Sequence, residues 1–212
     1  RQVEPGAEQL ALILELFTTG SLDVFAHQTN INSHNRLLCF DIHELGEELK
    51  PVGLLVMLDA IYNRVIRNRR KGKYTHVYID EIYLFFAASG GGGQNRINQY
   101  SSEFLYKCWK RFRKYGAMLT GITQNVEECL ESERGKFMFG NSEFMLMFNQ
   151  AAKDQEQLSE ILKISDTQMA YVNNSPVGHG LIKVGSSIVP LINDFPKDTE
   201  LYRLMSTRPG EG

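Results

Sequence analysis

Residues 74–86 read Tyr-Thr-His-Val-Tyr-Ile-Asp-Glu-Ile-Tyr-Leu-Phe-Phe, and this stretch decides the fold. Its segment 76–80, His-Val-Tyr-Ile-Asp, is a short apolar run that ends in an acid, which is typical of a buried strand. A second acid, Glu81, follows directly. In open α/β sheets, ligands bind outside the carboxyl ends of parallel strands. The stretch therefore predicts a parallel strand that brings Asp80 and Glu81 to a ligand-binding edge.

An apolar strand followed by Asp-Glu is the Walker B pattern of phosphate-hydrolysing motors. In that chemistry Asp80 holds a Mg²⁺-bound water, and Glu81 polarises the water that attacks the terminal phosphate. The alternative is that the two acids only mark the turn at the end of a buried strand. Four apolar residues before Asp-Glu make a short motif, so the pattern alone leaves both interpretations open.

Strands and helices alternate on both sides of this stretch. Short apolar runs predict further strands at 36–41, 117–123 and 143–148. Helical spacing predicts helices at 7–17, 51–70, 98–115, 153–162 and 166–172, with Ser165 as an N-cap. Such alternation is typical of an α/β protein with a parallel sheet and right-handed crossovers. The tail differs, because residues 178–185 and 187–192 predict a β-hairpin.

Polar residues flank the strand predicted at 117–123. Gln124, at its end, can hydrogen-bond a terminal phosphate or the attacking water, or it is a plain turn residue. The preceding helix ends in a basic run at 107–114, where the helix dipole favours cations. That run is either a solvated helix end or the source of an arginine finger, Arg111 or Arg113, that reaches a neighbouring subunit's phosphates.

A P-loop is missing from the sequence. Residues 72–75, Gly-Lys-Tyr-Thr, resemble the end of one, but the position five before Gly72 is Arg67 and Tyr74 follows Lys73. The segment also leads into a strand, whereas a P-loop opens a helix. The 5 histidines and 3 cysteines show no metal-binding or CxxC spacing. Metal-site and thiol chemistry are therefore disfavoured.

The composition restricts which classes of protein fit this sequence. The 212 residues, 42% of them hydrophobic, suffice for one large globular domain. A net charge of −2 argues against a generally basic nucleic-acid coat, although the run 64–73 carries 6 cations. That run is a solvated helix end or a contact for nucleic acid or anionic lipid. The cysteine usage indicates a reducing compartment, and we find no secretory signal and no apolar run of spanning length.

Taken in order, these segments resemble the C-terminal motor domain of the conjugative type IV secretion ATPases. This is the CagE/TrbE/VirB family, in the FtsK/HerA-like branch of RecA-like motors. The matching phrases cover nearly the whole chain from about Leu10 onward and jointly are quite specific. They lie at residues 29–46, 78–86, 109–117, 120–127, 139–150 and 180–193.

The resemblance implies a RecA-like P-loop NTPase core, with a parallel sheet flanked by helices, a C-terminal β-hairpin and a short helical N-terminal remnant. It implies Asp80 and Glu81 as Walker B, Gln124 as the phosphate-sensing glutamine and Arg113 as the arginine finger, with Arg111 in reserve. ATP and Mg²⁺ would be the cofactors. Residues 1–30 would end an inserted all-helical subdomain, and residues 31–212 would form the C-terminal half of the motor domain.

Two departures qualify this expectation. The family's P-loop lies upstream of the insertion and is absent here, and the glycine run Gly90–Gly93 is unlike the family. The chain also lacks an initiator Met, so we expect a processed or excised piece. Without a Walker A segment, which would hold the β- and γ-phosphates, we expect it to hydrolyse ATP poorly or not at all by itself.

The complete protein would be a Mg²⁺-dependent ATPase and a hexamer that powers channel assembly or the transfer of DNA or protein. It would sit peripherally at the cytoplasmic face of the bacterial membrane, with other secretion-system subunits and DNA as partners. The alternatives are a non-catalytic module that binds partner subunits and a HerA/FtsK-like DNA-translocating motor.

Overall fold

The structure is a computed structural model that describes residues 6–20, 22–28, 32, 35–46, 49–86, 93–124, 126–173 and 175–206. The chain divides into two compact units, Arg1–Ala60 and Ile61–Gly212. Three of the four glycines at 90–93 lie outside the described residues. None of the helices in the described part is long and apolar enough to cross a bilayer.

The first unit contains helix α1 (Ala7–Thr18) and most of helix α2 (Lys50–Arg70), both as predicted. Pro51 is the second residue of α2, where its missing N–H costs no hydrogen bond. The buried strand predicted at 36–41 is wrong: this segment is irregular, and Leu37 is 89% exposed. A strand forms only where a neighbour completes its ladder of hydrogen bonds, and no strand in the described residues pairs with this segment.

The second unit contains the predicted parallel sheet. Strand β1 (Thr75–Ile79) pairs in parallel with strand β2 (Ala117–Gly121), from Thr75 opposite Ala117 to Ile79 opposite Gly121. Helix α3 (Gly93–Arg111) and a 3-10 turn (Phe112–Tyr115) lie between the two strands in sequence. The helix predicted at 98–115 is therefore confirmed, with an earlier start and a tighter last turn. One face of the sheet is buried, through Val77, Ile79 and Ala117.

A second sheet holds β3 (Phe144–Met147), β4 (His179–Val184) and β5 (Ser187–Ile192), in that order and antiparallel. The predicted hairpin is confirmed as β4 and β5. The strand predicted at 143–148 exists as β3, but its place in the parallel sheet is wrong, because β3 pairs antiparallel with β4. Gly180 permits this pairing, since a Cβ there would lie 2.0 Å from the Met147 carbonyl oxygen.

The hairpin turn is Gly185-Ser186, with Gly185 at φ 59°. A two-residue turn with glycine first matches the twist of the flanking strands. Counting from the closing pair Val184–Ser187, hydrogen-bonded and non-bonded pairs alternate along the hairpin. Pro190 falls opposite Leu181 at a non-bonded position, so its missing N–H removes no ladder bond.

Five further helices in the described residues complete the second unit. They are α4 (Val126–Glu131), α5 (Glu133–Gly140), α6 (Ala152–Leu162), α7 (Asp166–Met169) and α8 (Glu200–Met205). Ser165 caps α7 in a capping box with Gln168, as its sequence position predicts. Leu130, Leu158, Val172 and Leu181 belong to one core that joins α4, α6 and α7 to the antiparallel sheet.

The pairing of β3 with β4 makes Gly180 the most sensitive position of the second sheet. We expect Gly180→Ala to cost about 2 kcal/mol or more, because the added methyl group meets a strand backbone rather than a mobile side chain. Gly140→Ala is the matched control: nothing lies within 4 Å of its Cβ position. Urea unfolding of both variants checks this; equal stabilities would contradict the close strand approach.

Candidate functional site

The candidate site lies at the carboxyl edge of the parallel sheet. Beyond the last paired residues, the backbone N–H of Ile122 donates to the Ile79 carbonyl at 2.8 Å, and that of Ile82 donates to the Ile122 carbonyl at 3.0 Å. These two bonds continue the ladder past both strand ends. They fix the loop that carries Asp80 and Glu81 beside the loop that carries Gln124.

Glu81 adopts a left-handed backbone conformation, with φ 48° and ψ 48°. In the described residues, only Glu81 and Lys163 do so without being glycine. A left-handed conformation costs a non-glycine residue about 1 kcal/mol, and such strain is concentrated at functional sites. The carboxylate Oδ1 of Asp80 accepts a hydrogen bond from the Glu81 N–H at 3.0 Å, which stabilises this turn.

The Glu81 and Gln124 side chains meet across the two loops. The Gln124 amide Nε2 donates to Glu81 Oε1 at 3.1 Å. The second carboxylate oxygen, Oε2, is buried and has no hydrogen-bond partner among the described residues. Leaving a buried acceptor unsatisfied costs about 1–3 kcal/mol, so this oxygen is suited to take a hydrogen bond from a water or ligand.

Gly121 is a positioning residue that the sequence analysis missed. A Cβ at this last residue of β2 would lie 2.6 Å from Ile82 Cδ1, so a larger residue here would force the Ile82 side chain to move. A lone glycine inside a predicted strand is the signal that could have revealed it.

The structure does not bring the two candidate arginines to this edge. Arg111 ends α3 and Arg113 lies in the 3-10 turn, and both are exposed. That turn leads into the amino end of β2, so both residues lie at the opposite edge of the sheet. Five residues of strand put the two edges about 13 Å apart. These arginines therefore lie where they can reach another molecule more readily than Glu81 of their own chain.

Mg²⁺ fits this edge only in part. No group of three His, Cys, Asp or Glu side chains in the described residues is arranged to hold a metal ion. Asp80 is exposed at the strand end and offers carboxylate oxygens, the ligand type that Mg²⁺ prefers. Mg²⁺ usually binds through one or two carboxylates, waters and substrate phosphates, so Asp80 would hold it only together with a phosphate ligand.

Two thiols are excluded as nucleophiles. Burial raises the pKa of Cys108 to about 12 and that of Cys129 to about 11. Both are therefore protonated near neutral pH, and the thiolate is the reactive form. The third thiol, Cys39, is exposed.

Comparison with solved structures shows that the fold is similar to that of VirB4 of Thermoanaerobacter pseudethanolicus. The TM-score is 0.74 at 22% sequence identity, and the match covers 90% of this chain. It covers 50% of that chain, so this chain spans about half its length. No protein-family model matches, and no curated protein matches in sequence. The expected α/β fold with a C-terminal hairpin is thereby confirmed as VirB4-like.

The strain at Glu81 gives a test by stability. We expect Glu81→Gly to be more stable than Glu81→Ala by about 1 kcal/mol, because glycine adopts positive φ without steric cost. At Glu156, which is exposed within α6, we expect the alanine variant to be more stable than the glycine variant. Glycine inside a helix lowers the free energy of unfolding by about 1 kcal/mol relative to alanine. Thermal unfolding of the four variants measures both differences. If the same substitution, glycine or alanine, gave the more stable variant at both positions, the left-handed conformation of Glu81 would be contradicted.

The buried thiols give a second test. At pH 8 the folded chain should react with a disulfide reagent such as DTNB at one thiol, Cys39, whereas the denatured chain should react at all 3 cysteines. Cys39→Ser should remove the fast reaction and serves as the control. Rapid labelling of Cys108 or Cys129 in the folded chain would contradict their burial.

Proposed function

We propose that this chain supplies the Walker B and phosphate-sensing half of a Mg²⁺-dependent ATPase motor of the conjugative type IV secretion kind. The observation that carries the proposal is the pair Glu81–Gln124, joined across two strand ends, with one buried carboxylate oxygen left for a further hydrogen bond. A carboxylate with a free acceptor, held on a strained turn, is suited to polarise a water molecule. The VirB4-like fold supports the proposal.

In this proposal each residue has a separate task. Bound MgATP supplies the terminal phosphate and its charge. Asp80 would hold the metal ion through water, and Glu81 Oε2 would accept a hydrogen bond from the attacking water. Gln124 would turn its amide from Glu81 towards the terminal phosphate, which would free Oε1 as well. The hydrogen bond that now joins Gln124 to Glu81 thus couples phosphate sensing to the state of the base.

The remaining phosphate contacts come, in this proposal, from a P-loop on residues other than these 212. The exposed face of the parallel sheet supports this. Tyr78 is 67% exposed and Met118 is 53% exposed, and the register places them on the face opposite the buried one. Parallel sheets are normally covered on both faces. Further chain packed on this face would cover the sheet on both sides, and in this proposal that chain also carries the P-loop.

An arrangement of copies in a ring supports a role for Arg113, with Arg111 as the second candidate. The carboxyl edge carries Asp80 and Glu81, and the opposite edge carries the two arginines. A head-to-tail contact joins unlike surfaces and closes into a ring if the rotation between copies closes. We infer that a hexamer of this kind brings Arg113 of one copy to the phosphates bound by the next.

The sequence resemblance and the VirB4-like fold support a cellular role for this proposal. We propose a motor at the cytoplasmic face of the bacterial membrane that powers channel assembly or transfer of DNA or protein, with other secretion-system subunits as partners. A non-catalytic module would not need a strained backbone at Glu81 or a buried Oε2 without a hydrogen-bond partner. A HerA/FtsK-like DNA translocase would use the same nucleotide site. Identifying the transported substrate would therefore distinguish it from a secretion motor.

Binding of a fluorescent ATP analogue with Mg²⁺ tests the division of the site. We expect the 212-residue chain to bind it weakly or not at all, because nothing in the chain provides a P-loop. Addition of an upstream segment that contains the P-loop should restore binding. Tight binding by the chain alone, lost in Asp80→Ala, would contradict the proposal and place a complete phosphate site within these residues.

Turnover tests the role of Glu81 in the longer protein that includes the P-loop. Glu81→Gln should lower kcat by about 10²-fold or more while leaving nucleotide binding within a few-fold, because the amide keeps the shape but cannot act as a base. Glu160→Gln, exposed on α6, is the matched control and should turn over normally. Undiminished kcat in Glu81→Gln would exclude Glu81 as the base.

A further inference from the structure

Two basic runs that are distant in sequence lie together at the amino edge of the parallel sheet, where β1 and β2 begin. Helix α2 ends at Arg70 and leads into β1, while the turn after α3 leads into β2. The Thr75 N–H donates to the Gly116 carbonyl at 3.0 Å, and the guanidinium carbon of Arg69 lies 4.8 Å from the centre of the Tyr115 ring. The end of α2 and the turn before β2 are therefore in contact.

Eight exposed cations belong to this surface, which we call the basic edge: Arg67, Arg69, Arg70, Lys71, Lys73, Arg111, Arg113 and Lys114. The sequence has no Asp or Glu from 60 to 79 or from 104 to 126. Among the described residues, none of the eight forms an ion pair. A chain of net charge −2 thus concentrates 8 of its 23 Lys and Arg on one edge. Such a concentration produces a positive potential that attracts polyanions.

An aromatic ring lies within the basic edge. Tyr74 is 78% exposed, and its ring lies at Gly116, where an added Cβ would come within 3.5 Å of it. Within residues 61–77 and 104–117, Tyr74 is the one large hydrophobic side chain that is exposed. The surface therefore offers cations and one open ring, without exposed aliphatic or phenylalanine side chains.

We propose that the basic edge binds single-stranded nucleic acid. Arginine guanidinium groups bind phosphate oxygens in pairs, and an exposed ring between cations provides a stacking platform for a base. The eight cations are spread over the ends of two elements, which suits a run of phosphodiesters better than one phosphate group. Single strands are favoured over duplex because their bases are free to stack on Tyr74.

Other anionic partners fit the same surface less well. An anionic membrane surface is bound through cations together with several inserted apolar side chains, whereas the described residues of the basic edge expose a single large hydrophobic ring, Tyr74. A second copy in the ring proposed above would take up Arg111 and Arg113, whereas the exposed ring of Tyr74 has no role in that contact. The other six cations suffice to bind about four phosphates, so nucleic-acid binding does not depend on the arginine finger.

Fluorescence anisotropy with a labelled oligothymidine and the 212-residue chain tests the inference, in 50–200 mM salt. If about four phosphates are neutralised, log K should fall with log salt at a slope of about −3. The triple variant Arg70→Gln/Lys71→Gln/Lys73→Gln should reduce the magnitude of that slope by about 2 and weaken binding at least tenfold. Tyr74→Ala should weaken binding about tenfold and leave the slope unchanged.

The matched control neutralises three cations elsewhere: Lys163→Asn, Lys197→Gln and Arg203→Gln. All three are exposed, and asparagine suits the left-handed backbone of Lys163. This control should bind like the unaltered chain, and circular dichroism should show that every variant is folded.

Three results would overturn the inference. One is a salt slope that the triple variant leaves unchanged. Another is binding to phosphatidylglycerol vesicles, but not to the oligonucleotide, that survives in Tyr74→Ala. The third is an oligomer, seen by sedimentation, that dissociates in the triple variant while no oligonucleotide binds; the basic edge would then be a contact between copies.

Discussion

Two backbone hydrogen bonds determine the geometry of the candidate site. The N–H groups of Ile122 and Ile82 extend the parallel ladder beyond its last paired residues, so the two loops leave the sheet locked together. Side chains that are 43 positions apart in sequence then come within 3.1 Å. A slip of one residue in the register of β1 and β2 would exchange their buried and exposed faces and separate Glu81 from Gln124. The chemistry proposed here therefore depends on strand register more than on any single side chain.

The sequence predicted the elements well wherever one helix or strand carried its own signal. The ends of α2, the capping box of α7 and the glycine turn of the hairpin all follow from local physical rules, and each lies where those rules place it. The helices α4 and α5 were not predicted. Both are short, and single short helices gain most of their stability from packing that a linear pattern does not display.

Strand partners could not be predicted in the same way. The segment 36–41 has the composition of a buried strand, but composition does not supply a neighbour. For β3 the decisive feature is Gly180, some 30 residues away, which lets β4 approach its backbone. At the site, the sequence predicted Asp80, Glu81 and Gln124 as one edge, and their positions agree with that prediction. The left-handed turn at Glu81 and the hydrogen bond from Gln124 are tertiary features, and no local pattern encodes them.

Pro190 has a consequence for how the antiparallel sheet can grow. At non-bonded positions of the hairpin the backbone groups of β5 point outward, towards any strand that might be added. Proline occupies the middle of those positions, so the outer side of β5 lacks a donor at its centre. The outer side of β3 has no such block in the described residues, since Phe144–Met147 contains no proline. An added strand would therefore lose a hydrogen bond at the centre of β5, whereas proline imposes no such loss along β3, so the two outer strands differ in how readily they could pair with a further strand.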